Sequence, residues 1–305
     1  DTDRSRGLGD VYKRQRMISR PKSLYLHIRL PAALPAGIIS ESMQERHENA
    51  GRYFDECART CARYYLPWLK SRLAKPLGDA CRVLEAGCDK GGNLKPFAEA
   101  GCRVVGIDLN AGALEAAREL FEARGLEGVF LRADILEFAP PPNHLYDLII
   151  LRDVIEHVED QPRLMARLAE LLAPDGVLFV AYPPWRMPFG GHQQMAVSRF
   201  AAHCPWLHLL PGPLYPWALR LAGETPGKIA GLLEIRDTRI SVRKFRRLAA
   251  GAGLRTVTER FFLINPHYEA KFGLKPRCLP RLLEVVPWLR DFFATTCFCL
   301  LQRQE

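Results

Sequence analysis

The run Cys81-Arg-Val-Leu-Glu-Ala-Gly87-Cys-Asp-Lys-Gly91-Gly92-Asn-Leu94 constrains this chain more than any other feature. An apolar strand ending in a carboxylate, Glu85, passes directly into a glycine-bearing loop that opens a helix. Glycines at such a junction let backbone N–H groups approach a ligand, since no Cβ holds it away. The next apolar run, Cys102-Arg-Val-Val-Gly-Ile107, also ends in a carboxylate, Asp108. An acid at the tip of the second strand of a βαβ unit is placed to bind a ribose diol, so the expected ligand is a nucleoside. The glycine spacing argues against a dinucleotide. The Gly-x-Gly-x-x-Gly fingerprint needs a glycine where the pyrophosphate comes close, and here Asp89 occupies that position and would repel phosphate.

A loop with Glu85 and Asp89 suits a nucleoside that carries positive charge, and S-adenosylmethionine has a sulfonium and an ammonium but no phosphate. Val83-Leu-Glu-Ala-Gly-Cys-Asp-Lys-Gly91 and Val105-Gly-Ile-Asp108-Leu-Asn resemble the first two motifs of the class I S-adenosylmethionine-dependent methyltransferases. Ala133-Asp134-Ile135 resembles that family's adenine segment. Tyr146-Asp-Leu-Ile-Ile-Leu-Arg-Asp-Val-Ile-Glu-His157-Val resembles its fourth strand and the turn that follows, and Leu172-Ala-Pro-Asp-Gly176-Val-Leu-Phe-Val its turn into the fifth strand. The motifs stand in the family's order between Arg82 and Tyr182, and the chain looks like its small-molecule, ubiquinone-biosynthesis-like branch.

The resemblance implies an α/β fold, a Rossmann-like seven-stranded, mostly parallel sheet with helices on both faces, and an enzyme that uses S-adenosyl-L-methionine. Carried over, Gly87, Cys88, Asp89 and Gly91 would line the methionine end, with Glu85 near the amino group. Asp108 would take the ribose hydroxyls, and Leu109 would pack on adenine. Asp134 would accept from the adenine amino group, the Ile135 backbone would face the ring, and Arg152 joins the cofactor-binding set. Asp89 departs from the family's usual glycine; aspartate tolerates unusual backbone angles, so the departure bears on cofactor affinity.

The chain has 305 residues, which favours one elaborated domain. No apolar run is long enough to span a bilayer. Nine cysteines, an odd number without a Cys-x-x-Cys pair, argue against a disulfide framework or structural zinc and suggest a reducing, cytoplasmic setting. Residues 1–15 read as a translated sequencing artefact and 16–42 as an irregular segment, with Met43 a candidate true start. The net charge of +9 invites a nucleic-acid reading, but only Arg243-Lys-Phe-Arg-Arg247 concentrates the bases, and a solvated helix face explains it more simply.

Strands and helices alternate through residues 43–305, except for two inserts after strand ends, about 184–236 and 265–293. The first is rich in proline, tryptophan and histidine, too long for an ordinary connection, and reads with the second as a substrate lid. Its Pro205–Trp217 stretch could roof the core, grip an amphipathic acceptor or make a peripheral membrane contact.

Methyl transfer from a sulfonium is a displacement governed by positioning, and a hydroxyl acceptor must also lose its proton. His157, in the turn after the fourth strand, is the leading candidate base, and His192, after Gly190-Gly191, the second acceptor-facing residue. Asp153, Glu156 and His157 resemble the Glu-x-x-Glu-His site of metal-assisted O-methyltransferases; a helix-capping pattern competes, and with no fourth ligand evident, no metal is assigned. His203, His208 and His267 read as structural. The expected reaction is O-methylation of a small or lipid-linked molecule, such as a glycan precursor. A catalytically silent binding protein and an RNA methyltransferase are the alternatives.

Overall fold

A computed structural model describes residues 49–304; the readings of residues 1–15 and 16–42, and of Met43 as the start, lie outside the described residues. Eight strands make one sheet: β1 (Arg82–Ala86), β2 (Arg103–Asp108), β3 (Val129–Arg132), β4 (Tyr146–Arg152), β5 (Leu172–Tyr182), β6 (Leu254–Ile264), β7 (Arg277–Cys278) and β8 (Thr296–Arg303). Their order is β3-β2-β1-β4-β5-β8-β6-β7. The first five strands run parallel, while β8 lies antiparallel between β5 and β6. The expected seven strands are corrected to eight, because Arg277–Cys278 pairs with Phe262 and Ile264 at the edge of β6. Two exposed residues beside prolines carry no alternation that a sequence reading could detect.

The strands are apolar at nearly every position because the sheet is covered on both faces. Leu84, Val105, Ile149, Leu151, Leu178 and Val180 point to one side. Their neighbours Val83, Val104, Leu148, Ile150, Val177 and Phe179 point to the other. The second face is roofed by α1 (Ala50–Thr60), a π-helical turn at Cys61–Tyr65 and α2 (Leu66–Lys70), with α3 (Lys95–Glu99) and α4 (Ala111–Glu122) beside them. Asn49 caps α1 by accepting from the Arg52 N–H at 3.1 Å. The first face carries α5 (Gln161–Leu171), whose Leu164, Met165 and Leu168 join that core.

The first insert forms α6 (Arg199–His203), α7 (Leu214–Leu221) and α8 (Pro226–Thr238) around a small core of their own that includes Tyr215, Leu219 and Leu232. The wound pattern resumes with α9 (Val242–Gly251), whose start is capped by Ser241. The second insert carries α10 (His267–Phe272), then β7, α11 (Arg281–Glu284) and α12 (Pro287–Phe293). Because β1 lies between β2 and β4, strand order reverses there, and the carboxyl ends of these strands are the place where open α/β sheets bind their ligands.

Candidate active site

The glycine loop is built by its hydrogen bonds to β2. The N–H groups of Gly87 and Cys88 both donate to the Ile107 carbonyl, at 2.8 and 3.1 Å. The Asp89 N–H donates to Asp108 Oδ2 at 2.9 Å, and the Asn110 N–H to Oδ1 at 2.8 Å. The Asp108 carboxylate is therefore held in one orientation at the strand tip, with lone pairs left for a diol. Gly87, Asp89 and Gly91 all have left-handed backbone, at φ +71°, +45° and +76°. A Cβ on Gly87 would stand 2.4 Å from Val154 Cγ2, so glycine lets the loop lie against the turn after β4. Asp89 adopts the same region, as a short polar residue can. Its carboxylate lies 3.3 Å from Lys90 Nζ, which in turn sits 5.0 Å from the Tyr53 ring centroid.

Glu85 is buried, with Oε1 accepting from Asn93 Nδ2 at 2.7 Å and Oε2 without a partner. Burial pushes its carboxyl up to about 8, against the opposing pull of the Asn93 hydrogen bond and of Arg152. This leaves one oxygen of a buried acid unused at the end of β1, where the cofactor's ammonium was expected. Asn93 is the partner that the sequence reading missed; its signal was an amide side chain directly after Gly91-Gly92, just ahead of α3.

Asp134 and Ile135 adjoin this wall, since the Ala133 N–H donates to the Asp108 carbonyl at 3.2 Å. Asp134 Oδ1 accepts from the Leu136 N–H at 2.9 Å, while Leu109 is 65% exposed at the rim. Cys88 is buried and packs beside Gly106, so what it can offer a ligand is backbone. Arg152 spends Nη1 on Cys57 Sγ at 3.3 Å and Nε on Asp153 at 3.2 Å, so two of its guanidinium nitrogens are turned to protein.

The expected acceptor end begins in the turn after β4. Asp153 takes φ +53° and points its carboxylate at Arg152, and the turn Ile155–His157 has no side-chain cap. The capping pattern is thus not formed, and Asp153 does not join Glu156 and His157 as their spacing suggested. His192 takes that place. One ligand atom from each of Glu156, His157 and His192 falls within 4.8 Å of the others, and the two imidazoles stack at 5.1 Å between centroids. Glu156 is buried with neither carboxylate oxygen partnered, and His192 Nδ1 is unpartnered too.

Burial and the nearby Asp153 hold the Glu156 carboxyl well above the usual range. Burial, with lesser repulsion from His157 and His208, pushes His192 down to about 3, and His157 is lowered by the protein around it although one side of the ring meets solvent. Both rings are therefore neutral near pH 7, the form that accepts a proton or ligates a metal. From the sequence Glu156 was weighed only as a cap or a sequential metal ligand, because its neighbour His192 is remote along the chain.

Gly190 and Gly191 serve close packing: a Cβ on Gly191 would stand 2.3 Å from His208 Cβ. Gln193 is buried and donates to the Pro188 and Cys204 carbonyls at 3.1 and 3.3 Å, so its amide supports the loop itself. His203, His208 and His267 find partners in Arg199 O, Trp185 O and Thr60 Oγ1. In the basic run of α9, Phe245 is buried, Arg246 pairs with Glu259 and Lys244 donates to the Thr238 carbonyl, as in a helix face with local partners.

The sequence profile of a family described as a methyltransferase domain matches residues 56–224. Trans-aconitate 2-methyltransferase of Paracidovorax citrulli is 35% identical over 133 residues, 43% of this chain and 48% of that protein. A ubiquinone biosynthesis O-methyltransferase of Chelativorans sp. is 36% identical over 110 residues, 36% of this chain and 43% of that protein. The chain thus spans less than half the length of these curated relatives. An S-adenosylmethionine-dependent methyltransferase of Clostridium acetobutylicum superposes with a TM-score of 0.52 at 10% identity, over 81% of this chain and 92% of that one, a likeness of fold alone.

Proposed function

The chain belongs to the class I S-adenosylmethionine-dependent methyltransferases, and we propose that it moves the methyl group of S-adenosylmethionine to an oxygen of a small or lipid-linked acceptor. The observation that carries this reading is buried Glu156, with neither carboxyl oxygen partnered, beside two stacked histidines; it lies in the turn that follows Val154, the residue against which Gly87 of the glycine loop packs.

In this reading Glu85 receives the cofactor's ammonium, Asp108 its ribose and Asp134 its adenine, with Gly87 to Gly91 lining the methionine chain. The acceptor oxygen attacks the methyl carbon, the carbon–sulfur bond breaks, and sulfur keeps the electron pair. The acceptor's proton passes to His157, which is neutral and open to solvent for onward release. His192, held by its left-handed backbone at φ +52°, stacks on His157 and fixes its ring plane.

Glu156, His157 and His192 also fit a divalent cation, because a two-nitrogen, one-carboxylate set with orphaned oxygens matches such an ion's needs. Bound there, the ion would act as a Lewis acid toward the acceptor hydroxyl. Names of relatives point the same way: an O-methyltransferase of ubiquinone biosynthesis and a methyltransferase of a small carboxylic acid.

The test is transfer of labelled methyl from S-adenosylmethionine to a panel of trans-aconitate, phenolic quinone precursors and lipid-linked sugars, with and without chelator. Glu156→Gln and His192→Asn should each lower transfer by about 100-fold while calorimetric cofactor affinity stays within about twofold. Wild-type protein that fails to bind the cofactor, or variants that transfer normally, would remove this reading.

A further inference from the structure

Large apolar side chains are left exposed in a non-random place. Of the thirteen such residues among those described, all but Leu109 and Val257 lie in the two inserts. Leu109 is in the cofactor wall, so the catalytic body itself leaves almost none. Trp206 of the first insert and Trp288, Leu289, Phe292 and Phe293 of the second close around one hollow of about 290 Å³. Trp206 Nε1 donates to the Arg186 carbonyl at 3.2 Å, and the Arg186 guanidinium lies 5.9 Å from the Phe292 ring centroid. Further along, Leu282, Val285 and Trp288 recur every third residue and are 79%, 71% and 59% exposed. No residue of α11 is fully buried, and of its apolar side chains Leu283 packs against the core while Leu282 faces out.

The chemistry around this face is cationic. The two inserts hold ten arginines and lysines against five acids. Lys275, Arg277 and Arg281 are exposed and make no ion pair among the described residues, whereas Arg290 and Asp291 neutralise each other at 3.4 Å. Contiguous exposed apolar surface marks a binding face. Indole rings and aliphatic side chains bordered by unpaired cations match the headgroup zone of a bilayer, where rings sit at the boundary and cations meet phosphates. A protein partner of matching shape would instead favour few lysines within the patch.

We propose that this insert face, centred on Trp288 with Trp206, Leu282 and Val285, docks the protein on an anionic membrane surface. The inference goes beyond the catalytic reading and does not depend on it. Docking also has a route to the site: the Trp206 N–H donates to the Pro188 carbonyl at 2.6 Å, and Pro188 lies in the loop that leads into His192. An amphipathic molecule resting in the bilayer would meet the lid beside the acceptor end.

The experiment is co-sedimentation of the full chain with phosphatidylcholine vesicles, with and without one part in three of phosphatidylglycerol, at low and high salt. Binding should be about tenfold tighter to the anionic vesicles and should weaken with salt. Arg277→Gln and Arg281→Gln should each cost about fivefold. A combined Leu282→Ser, Val285→Ser, Trp288→Ser variant should lose about tenfold or more. Circular dichroism and cofactor calorimetry on each variant separate misfolding from lost docking, since none of these residues lies in the cofactor wall. Wild-type protein that stays in the supernatant overturns the proposal, as does unchanged binding by the triple variant or a salt-independent preference for neutral vesicles. A second copy or a protein partner on this face would give the first of these results. Loss of methyl transfer with docking intact would count against the catalytic reading alone.

Discussion

Glu85 shows how one buried carboxyl can set both affinity and pH response. With its pKa pushed to about 8, it is mostly protonated near neutrality and must ionise to hold an ammonium. Cofactor affinity should therefore rise several-fold as pH climbs from about 6.5 toward about 8 and fall again above it, where the cofactor's own α-ammonium loses its proton, and calorimetry at several pH values reads it directly. Glu85→Gln should bind weakly and without that slope; a flat wild-type profile would contradict the assignment. The same upward shift has the opposite sign for folding. Its contribution to stability is fully present below the ordinary carboxyl value and is lost as pH rises through about 8, because the folded state binds the extra proton.

At the scale of elements, the acceptor end depends on two loops meeting. The turn after β4 brings Glu156 and His157, while the loop after β5 brings His192 by packing Gly191 against His208. Gly191→Ala would place a methyl 2.3 Å from His208 Cβ, and the loop would have to move. The expected cost is about 1–3 kcal/mol of stability, with a fall in kcat and little change in cofactor Kd, because Glu85 and Asp108 sit on other elements. Steady-state kinetics beside calorimetry checks it. Equal losses in both quantities would mean that the two loops are not separable from the cofactor wall.

For the molecule as a whole, the sheet carries the α1–α2 roof through aromatic packing. Phe179 on β5 meets Tyr65 at 5.2 Å, Trp68 at 6.0 Å and Phe298 at 5.5 Å between centroids, all in the layer that ends at the glycine loop. Phe179→Ala should cost about 3–5 kcal/mol, read from denaturant unfolding. It should also weaken cofactor binding, since α1 lies directly on the loop, where a Cβ on Gly92 would stand 2.5 Å from the Phe54 carbonyl. An unchanged midpoint would show that the roof is held from elsewhere.

What the amino-acid sequence determined by itself is local. Glu85, the glycines at 87 and 91, and Asp108 announce a strand, a turn and a ligand-facing acid, because those chemistries act between residues close along the chain. The alternation of β1 to β5 with their helices is legible for the same reason. Other features depended on the fold: the edge strand Arg277–Cys278, too short to show a period, and the helices of the first insert, whose apolar residues pack on one another. The pairing of Glu156 and His157 with His192 was likewise hidden, since His192 lies 35 positions after His157 and only sheet order brings the ends of β4 and β5 side by side. Spacing had offered Asp153 as the partner; the left-handed turn at that residue gave its carboxylate to Arg152 instead.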